Sequence, residues 1–256
     1  MDLKRKRIPK LISLDFWNTL YFHIGTKEFR LKTIDTVIKE FCIQNLDLDI
    51  DLIEYIGSNF FQVLSNRIKS EWKEGRCPNR SETSQHCINF FHPYLDKENC
   101  IAIIKLIENL YINKLRLRMV KNGFGFVKWA YNEGFHLSII SDTFVIPARI
   151  LREIMKQDKI LNYFDRTLFS DETCKMKPDS REFLKMMNNF KINPSSVVHI
   201  GDLIETDGVL AMNAGVNFIL FQTSSYSIVN EEFQEVPIAA RFNEFEKLPE
   251  IINGII

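Results

Sequence analysis

A short apolar run near the N-terminus ends abruptly in a carboxylate, and this stretch constrains the fold more than any other part of the chain. The pattern of residues 8–14 predicts a buried β-strand, and Asp15 follows it directly. A strand that ends there would leave the Asp15 carboxylate at the carboxyl end of a sheet. Open α/β sheets place their ligand crevices at that edge. A lone Asp after a strand often only caps a turn, so the prediction depends on partners later in the chain.

From about residue 121 the chain alternates between strand and helix patterns. Asp179 and Glu182 resemble a pair that starts a helix, and Gly215 suits a helix stop. The alternation predicts an α/β fold, with a Rossmann-like parallel sheet core and helices on both faces. The predicted strands cover residues 136–140, 166–169, 197–200 and 217–221, and the predicted helices cover 127–132, 147–155 and 205–213.

An intervening stretch has apolar residues at helical spacing. It contains four predicted helical segments and a polar loop at residues 73–80 that includes Gly and Pro. We therefore predict two domains. The α/β core is formed by residues 1–23 and 121–256, and an inserted all-helical cap is formed by residues 24–120. An insert of about 95 residues suits a small domain.

The charge balance argues against several classes of partner. Lys and Arg together number 33, as do Asp and Glu, so the zero net charge gives no general attraction to nucleic acid or to an anionic membrane. No apolar run approaches the length of a membrane span. The five cysteines are odd in number and lack C-x-x-C spacing, which favours a reducing, cytoplasmic setting. We expect a monomer or a homodimer that binds neither nucleic acid nor membrane.

Polar side chains follow four separate predicted strands, or the loops after those strands. Carboxylates hold Mg²⁺, which prefers oxygen ligands. A Lys and the cation together neutralise the charge of a phosphate, and an Asp can act as a covalent nucleophile. Because parallel strands all end at one edge, these groups are expected to converge and to suit phosphoryl transfer with Mg²⁺. The residues are Asp15, Ser141, Lys177, Asp202 and Asp207.

These residues form an ordered set of motifs that resembles the haloacid dehalogenase superfamily, in the subfamily with a helical cap between the first and second motifs. Residues 15–19 match D-x-D-x-T with one departure, and Ser141 follows an apolar strand as the second motif does. Lys177 before Pro178 matches the third motif, with Lys177 in an extended step. Residues 201–207 match the fourth motif, G-D-x-x-x-x-D. The match runs in order through the chain, and the helical insert falls where the cap belongs.

The resemblance implies a Mg²⁺ site. Asp15 would be both the nucleophile and a metal ligand. The backbone carbonyl of Trp17 would be a second ligand and Asp202 a third. Asp207 would support the metal shell.

The resemblance also implies a site for the phosphate. Ser141 and Lys177 would bind the phosphate and steady the nucleophile, while Thr19 would help to hold the loop. Arg76, or Arg80 nearby, could contact an anionic substrate, although as solvated loop charges they would have no such role. The further candidates for substrate contact are Trp17, Asn18 and Asp142.

One position departs from the family pattern. The family's second Asp protonates the leaving group and later activates water, and here that position is Trp17. An indole cannot usefully transfer a proton, and general acid–base help is worth about 10²–10⁴-fold. The candidates for a replacement acid are His23, Glu28 and Glu74.

Three explanations of Trp17 remain open. The first is a Mg²⁺-dependent phosphohydrolase of a small phosphorylated metabolite, with a good leaving group or an acid from elsewhere. The second is hydrolysis of another bond, because haloacid dehalogenases have Tyr at this position and phosphonoacetaldehyde hydrolases also lack the Asp. Dehalogenases, however, need no metal and resemble a Ser-Asn pattern where this chain has Gly201 and Asp202. The third is a catalytically weak phosphate-binding or regulatory module. We favour the first.

Overall fold

Eight β-strands are found in residues 10–177, 179–222 and 233–256, which are the residues that this computed structural model describes. Six of the strands form one sheet, and every neighbouring pair in it is parallel. The strands are β1 (Leu11–Leu14), β2 (Tyr21–Phe22), β3 (Arg118–Met119), β4 (His136–Ser141), β5 (Arg166–Phe169), β6 (Val197–Gly201), β7 (Asn217–Phe221) and β8 (Ala240–Phe242). The sheet order is β5-β4-β1-β6-β7-β8, while β2 and β3 form a separate pair.

Strand β1 lies in the interior of the sheet, between β4 and β6. Leu14 is in register with Ile139 on one side and with Ile200 on the other. Later strands therefore add to the sheet on both sides of β1, with β4 and β5 on one side and β6, β7 and β8 on the other. A ligand crevice is expected at such a reversal of strand order. All four residues of β1 are buried, and successive side chains of a strand point to opposite faces, so both faces of the sheet are covered. The predicted α/β class with a Rossmann-like parallel sheet is confirmed.

Ten α-helices accompany the strands in the described part of the chain. The first four follow one another without an intervening strand, and most of the others alternate with strands of the sheet. The helices are α1 (Lys27–Asn45), α2 (Ile50–Lys73), α3 (Arg80–Phe91), α4 (Lys97–Asn113), α5 (Gly123–Asn132), α6 (Ala148–Gln157), α7 (Ser170–Thr173), α8 (Arg181–Phe190), α9 (Val209–Ala214) and α10 (Leu248–Ile255). None of these helices is both long and apolar enough to cross a bilayer.

The chain divides into two compact units. An α/β unit comprises Met1–Phe22, Met119–Asp142 and Met155–Ile256, so far as these are described, and a helical unit comprises His23–Arg118 and Thr143–Ile154. The predicted boundaries differ from this division by one residue at 23, by two residues at 119–120, and most of all at residues 143–154, which the sequence assigned to the core. The physical reason is local packing. The Phe144 ring lies against two aromatic rings of α2, and Arg149 pairs with a glutamate of α4.

The helical unit is held together by packing among its first four helices. Helix α1 packs on α2 and α4, and α3 packs on the same two helices. Their interior is apolar, and the rings of Phe60 and Phe91 stack there with their centroids 4.8 Å apart. Each helix also begins with a side chain that accepts a hydrogen bond from a first-turn backbone N–H, which satisfies an otherwise unpaired donor. These caps are Thr26, Asp49, Asn79 and Asp96.

Two local predictions in the α/β unit need correction. Helix α8 starts after Ser180, and Glu182 does not complete the predicted pair with Asp179, which instead accepts a hydrogen bond from the backbone N–H of Arg181. The predicted helix over residues 205–213 begins as a wide π-helical turn, Ile204–Gly208. The Leu203 carbonyl there accepts from the N–H groups four and five residues on, at 2.8 and 3.3 Å.

Some elements were not predicted, and some predictions fall where the structure gives no description. The sequence did not indicate the short strands β2, β3 and β8 or the helices α7 and α10. The predicted first strand included Ile8 and Pro9, which lie outside the described residues, and β1 begins at Leu11. Pro178 also lies outside them, so the predicted extended step after Lys177 is not described.

Candidate active site

Asp15 lies at the carboxyl end of β1, as predicted. Its backbone N–H donates to the carbonyl of Ile200 in β6 at 2.8 Å, which continues the strand pairing up to the carboxylate itself. The residue is buried, with 4% of its surface exposed. Ser141 is the last residue of β4, the neighbour of β1 on the other side, and its Oγ donates to Asp15 Oδ1 at 2.9 Å. Two adjacent strand ends therefore bring a buried carboxylate and a hydroxyl together.

Lys177 joins this pair from the loop that follows α7. Its Nζ lies 2.6 Å from Asp15 Oδ1 and 2.5 Å from Asp207 Oδ1, so one ammonium group bridges two carboxylates. The loop is held at its base because the Asp142 side chain accepts a hydrogen bond from the Lys177 backbone N–H at 3.1 Å. Asp142, predicted to contact substrate, therefore has a structural partner in the loop that presents the lysine.

Asp202 and Asp207 complete the group, following the end of β6. Ligand oxygens of Asp15, Asp202 and Asp207 all lie within 4.8 Å of one another. Gly201 permits this arrangement, because an added Cβ at that position would lie only 2.1 Å from Asp207 Cγ. The wide turn after β6 also fixes Asp207, whose Oδ2 accepts from the Leu203 N–H at 3.2 Å. The five side chains that were expected to converge, those of Asp15, Ser141, Lys177, Asp202 and Asp207, thus lie together.

The pKa values of these groups are shifted because the site is buried and contains more carboxylates than cations. Burial raises the pKa of Asp15 even though Lys177 opposes it, and Asp207 raises it further. Burial together with the charges of Asp15 and Asp207 raises the pKa of Asp202 to about 8. Burial alone would lower the pKa of Lys177, but the two carboxylates outweigh it and the pKa is raised. Lys177 therefore stays charged, and its ammonium group is shared between the carboxylates of Asp15 and Asp207.

These residues fit a divalent cation. Lys177 is paired with two of the three carboxylates, those of Asp15 and Asp207, so the negative charge of the group is only partly balanced. Asp202 Oδ2 is buried and has no hydrogen-bond partner among the described residues. A buried carboxylate oxygen without a donor is costly unless a ligand completes it. Oxygen ligands of this kind are what Mg²⁺ prefers.

The turn after Asp15 is compact and is held by its backbone. The N–H of Asn18 donates to the carbonyl of Tyr21 at 2.8 Å, and the N–H of Tyr21 donates to the carbonyl of Phe16 at 2.8 Å. Asn18 has a φ of 55°, a left-handed conformation that Asn tolerates well. Trp17 is half-buried, with its ring edge-on to Phe16 at 5.1 Å. The predicted help from Thr19 does not come from its hydroxyl, which is buried and has no hydrogen-bond partner in the described residues.

Arg76 and the candidate acids belong to the helical unit. The Arg76 guanidinium lies 2.8 Å from Oε1 of the buried Glu71 and 3.7 Å from Glu74, so it has partners within that unit. Burial, with a smaller contribution from Arg30, lowers the pKa of His23 to about 4. An imidazole with that pKa is protonated in only about one molecule in a thousand at pH 7. His23 is therefore a poor general acid.

Two buried polar residues beside the site were missed by the sequence prediction. Ser13 in β1 and His199 in β6 are register partners, and Ser13 Oγ lies 2.8 Å from His199 Nδ1. His199 Nε2 lies 3.0 Å from Asp207 Oδ1. Neither residue belongs to a motif. The only sequence signal is a polar residue inside an otherwise apolar buried strand.

The close approach at Gly201 gives a prediction. A Gly201→Ala variant should lose about 1–3 kcal/mol of unfolding free energy, as overpacked sites do, because the new methyl group would displace the Asp207 carboxylate. Urea unfolding followed by circular dichroism measures the change. Gly125→Ala is the matched control, since an added Cβ there meets nothing within 4 Å, and in helix α5 it should be neutral or stabilising. Equal stability of Gly201→Ala and the wild type would contradict the prediction.

The family follows from comparison with known proteins. The family model described as "Haloacid dehalogenase-like hydrolase" matches residues 13–221, which span β1 to β7 and all the residues that converge at the site. The chain belongs to the haloacid dehalogenase-like hydrolase family. The resemblance inferred from the motifs is thereby confirmed, and so is the expectation that the chain is a hydrolase, at the level of this family.

Individual relatives of this haloacid dehalogenase-like chain are distant. A glyceraldehyde 3-phosphate phosphatase of Pyrococcus furiosus is 25% identical over 103 residues, which cover 40% of this chain. The match spans 42% of that relative's length.

Solved structures resemble nearly the whole chain. A 2-haloacid dehalogenase from Pseudomonas syringae pv. Tomato DC3000 has a TM-score of 0.69 at 14% identity, covering 96% of this chain and 99% of that one. A HAD phosphatase from Thermococcus onnurineus has a TM-score of 0.60 at 18% identity, covering 96% and 98%. These likenesses show the fold.

Proposed function

We propose that the chain is a Mg²⁺-dependent phosphohydrolase that acts on a small phosphorylated metabolite through an aspartyl-phosphate intermediate. The observation that carries this proposal is the sharing of Lys177 between Asp15 and Asp207, within a group of three carboxylates. The partial likeness to a glyceraldehyde 3-phosphate phosphatase supports phosphate chemistry.

Asp15, Asp202 and Asp207 would hold the cation, together with the backbone carbonyl of Trp17. When bound, Mg²⁺ would neutralise charge on the phosphoryl group and offset the repulsion among the carboxylates. Ser141 and Lys177 both donate to Asp15 Oδ1, which fixes the orientation of the carboxylate without substrate. Such preorganised donors stabilise developing charge at little reorganisation cost.

The reaction would proceed in two displacements at phosphorus. A carboxylate oxygen of Asp15 attacks, the bond between phosphorus and the leaving oxygen breaks, and its electron pair goes to that oxygen. Water then attacks the aspartyl-phosphate, and inorganic phosphate, a proton and the Asp15 carboxylate are released. Ser141 and Lys177 would contact the phosphoryl oxygens in both steps.

Trp17 determines which substrates fit this scheme. An indole N–H is only a hydrogen-bond donor, so Trp17 supplies neither a proton to the leaving group nor a base for water. A carboxylate or phenolate leaves without a proton, whereas a simple alkoxide does not. We therefore propose acyl or similarly activated phosphates as the best substrates. Asn18 and Asp142 stay proposed substrate contacts, as does Arg76 in the helical unit that we propose to be the cap.

A substrate screen tests the proposal. Acyl, aryl and alkyl phosphates and a 2-haloacid are assayed with Mg²⁺ and with EDTA. We expect Mg²⁺-dependent activity, with kcat/KM falling in the order acyl, aryl, alkyl because the leaving group departs in the first displacement. Because no base assists water, the second displacement should be slow, giving a burst of about one equivalent of the leaving group before steady release of phosphate. Halide release without Mg²⁺ would instead support dehalogenation. The replacement of the family's Asp by Trp17 favours that alternative, whereas the group of three carboxylates opposes it.

The role of Trp17 gives a further prediction. A Trp17→Asp variant should raise kcat/KM toward an alkyl phosphate by up to about 10²–10⁴-fold, the usual worth of general acid–base help. Trp17→Asn is the matched control, because it opens the same space without a transferable proton. Equal gains in both variants would show that the indole acts only by its bulk, and no gain in a folded Trp17→Asp would indicate an acid elsewhere.

We also propose a cytoplasmic location. No disulfide joins the five cysteines, all of which lie in the described part of the chain, and such thiols suit a reducing compartment. A monomer or homodimer stays a prediction.

A further inference from the structure

A continuous line of buried polar contacts runs from the middle of the sheet to the candidate site. Ser13 Oγ contacts His199 Nδ1 at 2.8 Å, His199 Nε2 contacts Asp207 Oδ1 at 3.0 Å, and that oxygen contacts Lys177 Nζ at 2.5 Å. Ser13 and His199 are completely buried. We propose that His199, oriented by Ser13, is a positioning residue that holds the Asp207 carboxylate in place.

The direction of each hydrogen bond follows from the chemistry of the partners. Lys177 Nζ can only donate, so Asp207 Oδ1 accepts from it. His199 Nε2 faces the same oxygen and must also donate, so it carries a proton. Nδ1 lies 2.8 Å from the Ser13 hydroxyl, and this contact orients the ring. The competing acceptor for that hydroxyl, the carbonyl of Val198, lies at 3.5 Å and is the weaker partner.

His199 differs from the other hydrogen-bond donors to Asp207 because it belongs to a strand rather than to a loop. Leu203 and Lys177 come from loops, whereas His199 stands on β6, a strand paired on both sides. Its ring packs against the rings of Phe183 and Phe218, at centroid distances of 6.0 and 6.4 Å. It therefore ties the carboxylate to the rigid part of the fold. Groups behind a metal ligand typically change metal affinity or activity by about 10–100-fold when removed.

The tautomer of His199 provides a test that needs neither metal nor substrate. In the ¹⁵N-histidine-labelled full chain, long-range proton–nitrogen correlation spectra should show a proton on Nε2 of His199. An Nδ1–H tautomer would overturn the proposal, because Nε2 could not then donate to Asp207.

Variants test the positioning itself through the Kd for Mg²⁺ alone, measured by calorimetry. The expectation for Mg²⁺ rests on the proposed function. His199→Leu should raise the Kd by about 10–100-fold, while His199→Gln, whose amide N–H can replace Nε2–H, should restore most of the affinity. Circular dichroism and thermal unfolding verify that each variant is folded. A folded His199→Leu variant with the wild-type Kd would overturn the proposal.

Ser13 and Ser138 form a matched pair for the second contact. They are register partners on β1 and β4, and both are buried, but Ser138 Oγ has no hydrogen-bond partner in the described residues. Ser13→Ala should raise the Kd and Ser138→Ala should not, and equal effects would count against the proposal. If the wild type binds no Mg²⁺, the proposed function fails, and the tautomer alone then decides the role of His199.

Discussion

An Asp15→Asn variant is expected to lose turnover by at least about 10⁴-fold, the scale on which removal of a nucleophile acts. The amide is a poor nucleophile, yet it has nearly the shape of the carboxylate and can still accept from Ser141 and Lys177, which contact Asp15 Oδ1 in the wild type. Phosphate release from an acyl phosphate under Mg²⁺ measures the loss. Acid-quenched wild-type protein should carry one phosphoryl group on the peptide that contains Asp15, and the variant should carry none.

Asp165→Asn is the control for this experiment. It makes the same exchange of carboxylate for amide at the amino end of β5, where Asp165 accepts from the Leu137 backbone N–H, at the opposite edge of the sheet from Asp15. This control should retain turnover. Full turnover by Asp15→Asn would rule out covalent catalysis by Asp15.

Replacement of Lys177 by methionine is expected to destabilise the protein by about 3–5 kcal/mol in metal-free buffer, the usual cost of breaking a buried ion pair from one side. The side chain is 5% exposed and bridges Asp15 and Asp207. Its loss leaves both carboxylates buried without that cation. The free energy of unfolding in urea, with EDTA present, measures the effect, and turnover should fall in the same variant.

Two further variants separate charge from packing. Lys175→Met removes a partly exposed lysine that lies 4.0 Å from Asp179, and it should cost less than about 1 kcal/mol. A double variant, Lys177→Met with Asp207→Asn, should be more stable than Lys177→Met alone because one of the uncompensated charges is gone. Wild-type stability of Lys177→Met in EDTA would contradict the electrostatic account of the site.

The core of the candidate site was predictable because its residues occupy strand ends. Asp15, Ser141 and Asp202 each follow an apolar run, and parallel strands must all end at one edge. An apolar run and the polar residue that ends it can be recognised in the sequence without knowing which strands pair with each other. Lys177 follows its strand only through a loop that has no periodic pattern, so its place at the site was expected from that loop and from the order of the motifs. Its contact with Asp207 needed the three-dimensional structure.

The parts that escaped prediction depend on strand register or on packing across distant segments. Ser13 and His199 are 186 residues apart and meet only because β1 pairs with β6 in one particular register. The partner of Arg76 was equally hidden, since buried Glu71 is an ordinary member of a helical pattern until α2 packs. Strand β8 is only three residues long, too short for alternation to indicate it.

The close approach of Gly201 to the Asp207 side chain should couple the effects of substitutions at these two positions. A Cβ at position 201 would lie 2.1 Å from Asp207 Cγ, so a side chain there requires the carboxylate to move. The cost of Gly201→Ala should therefore shrink when position 207 carries serine, and a double-mutant cycle should give a nonzero coupling energy.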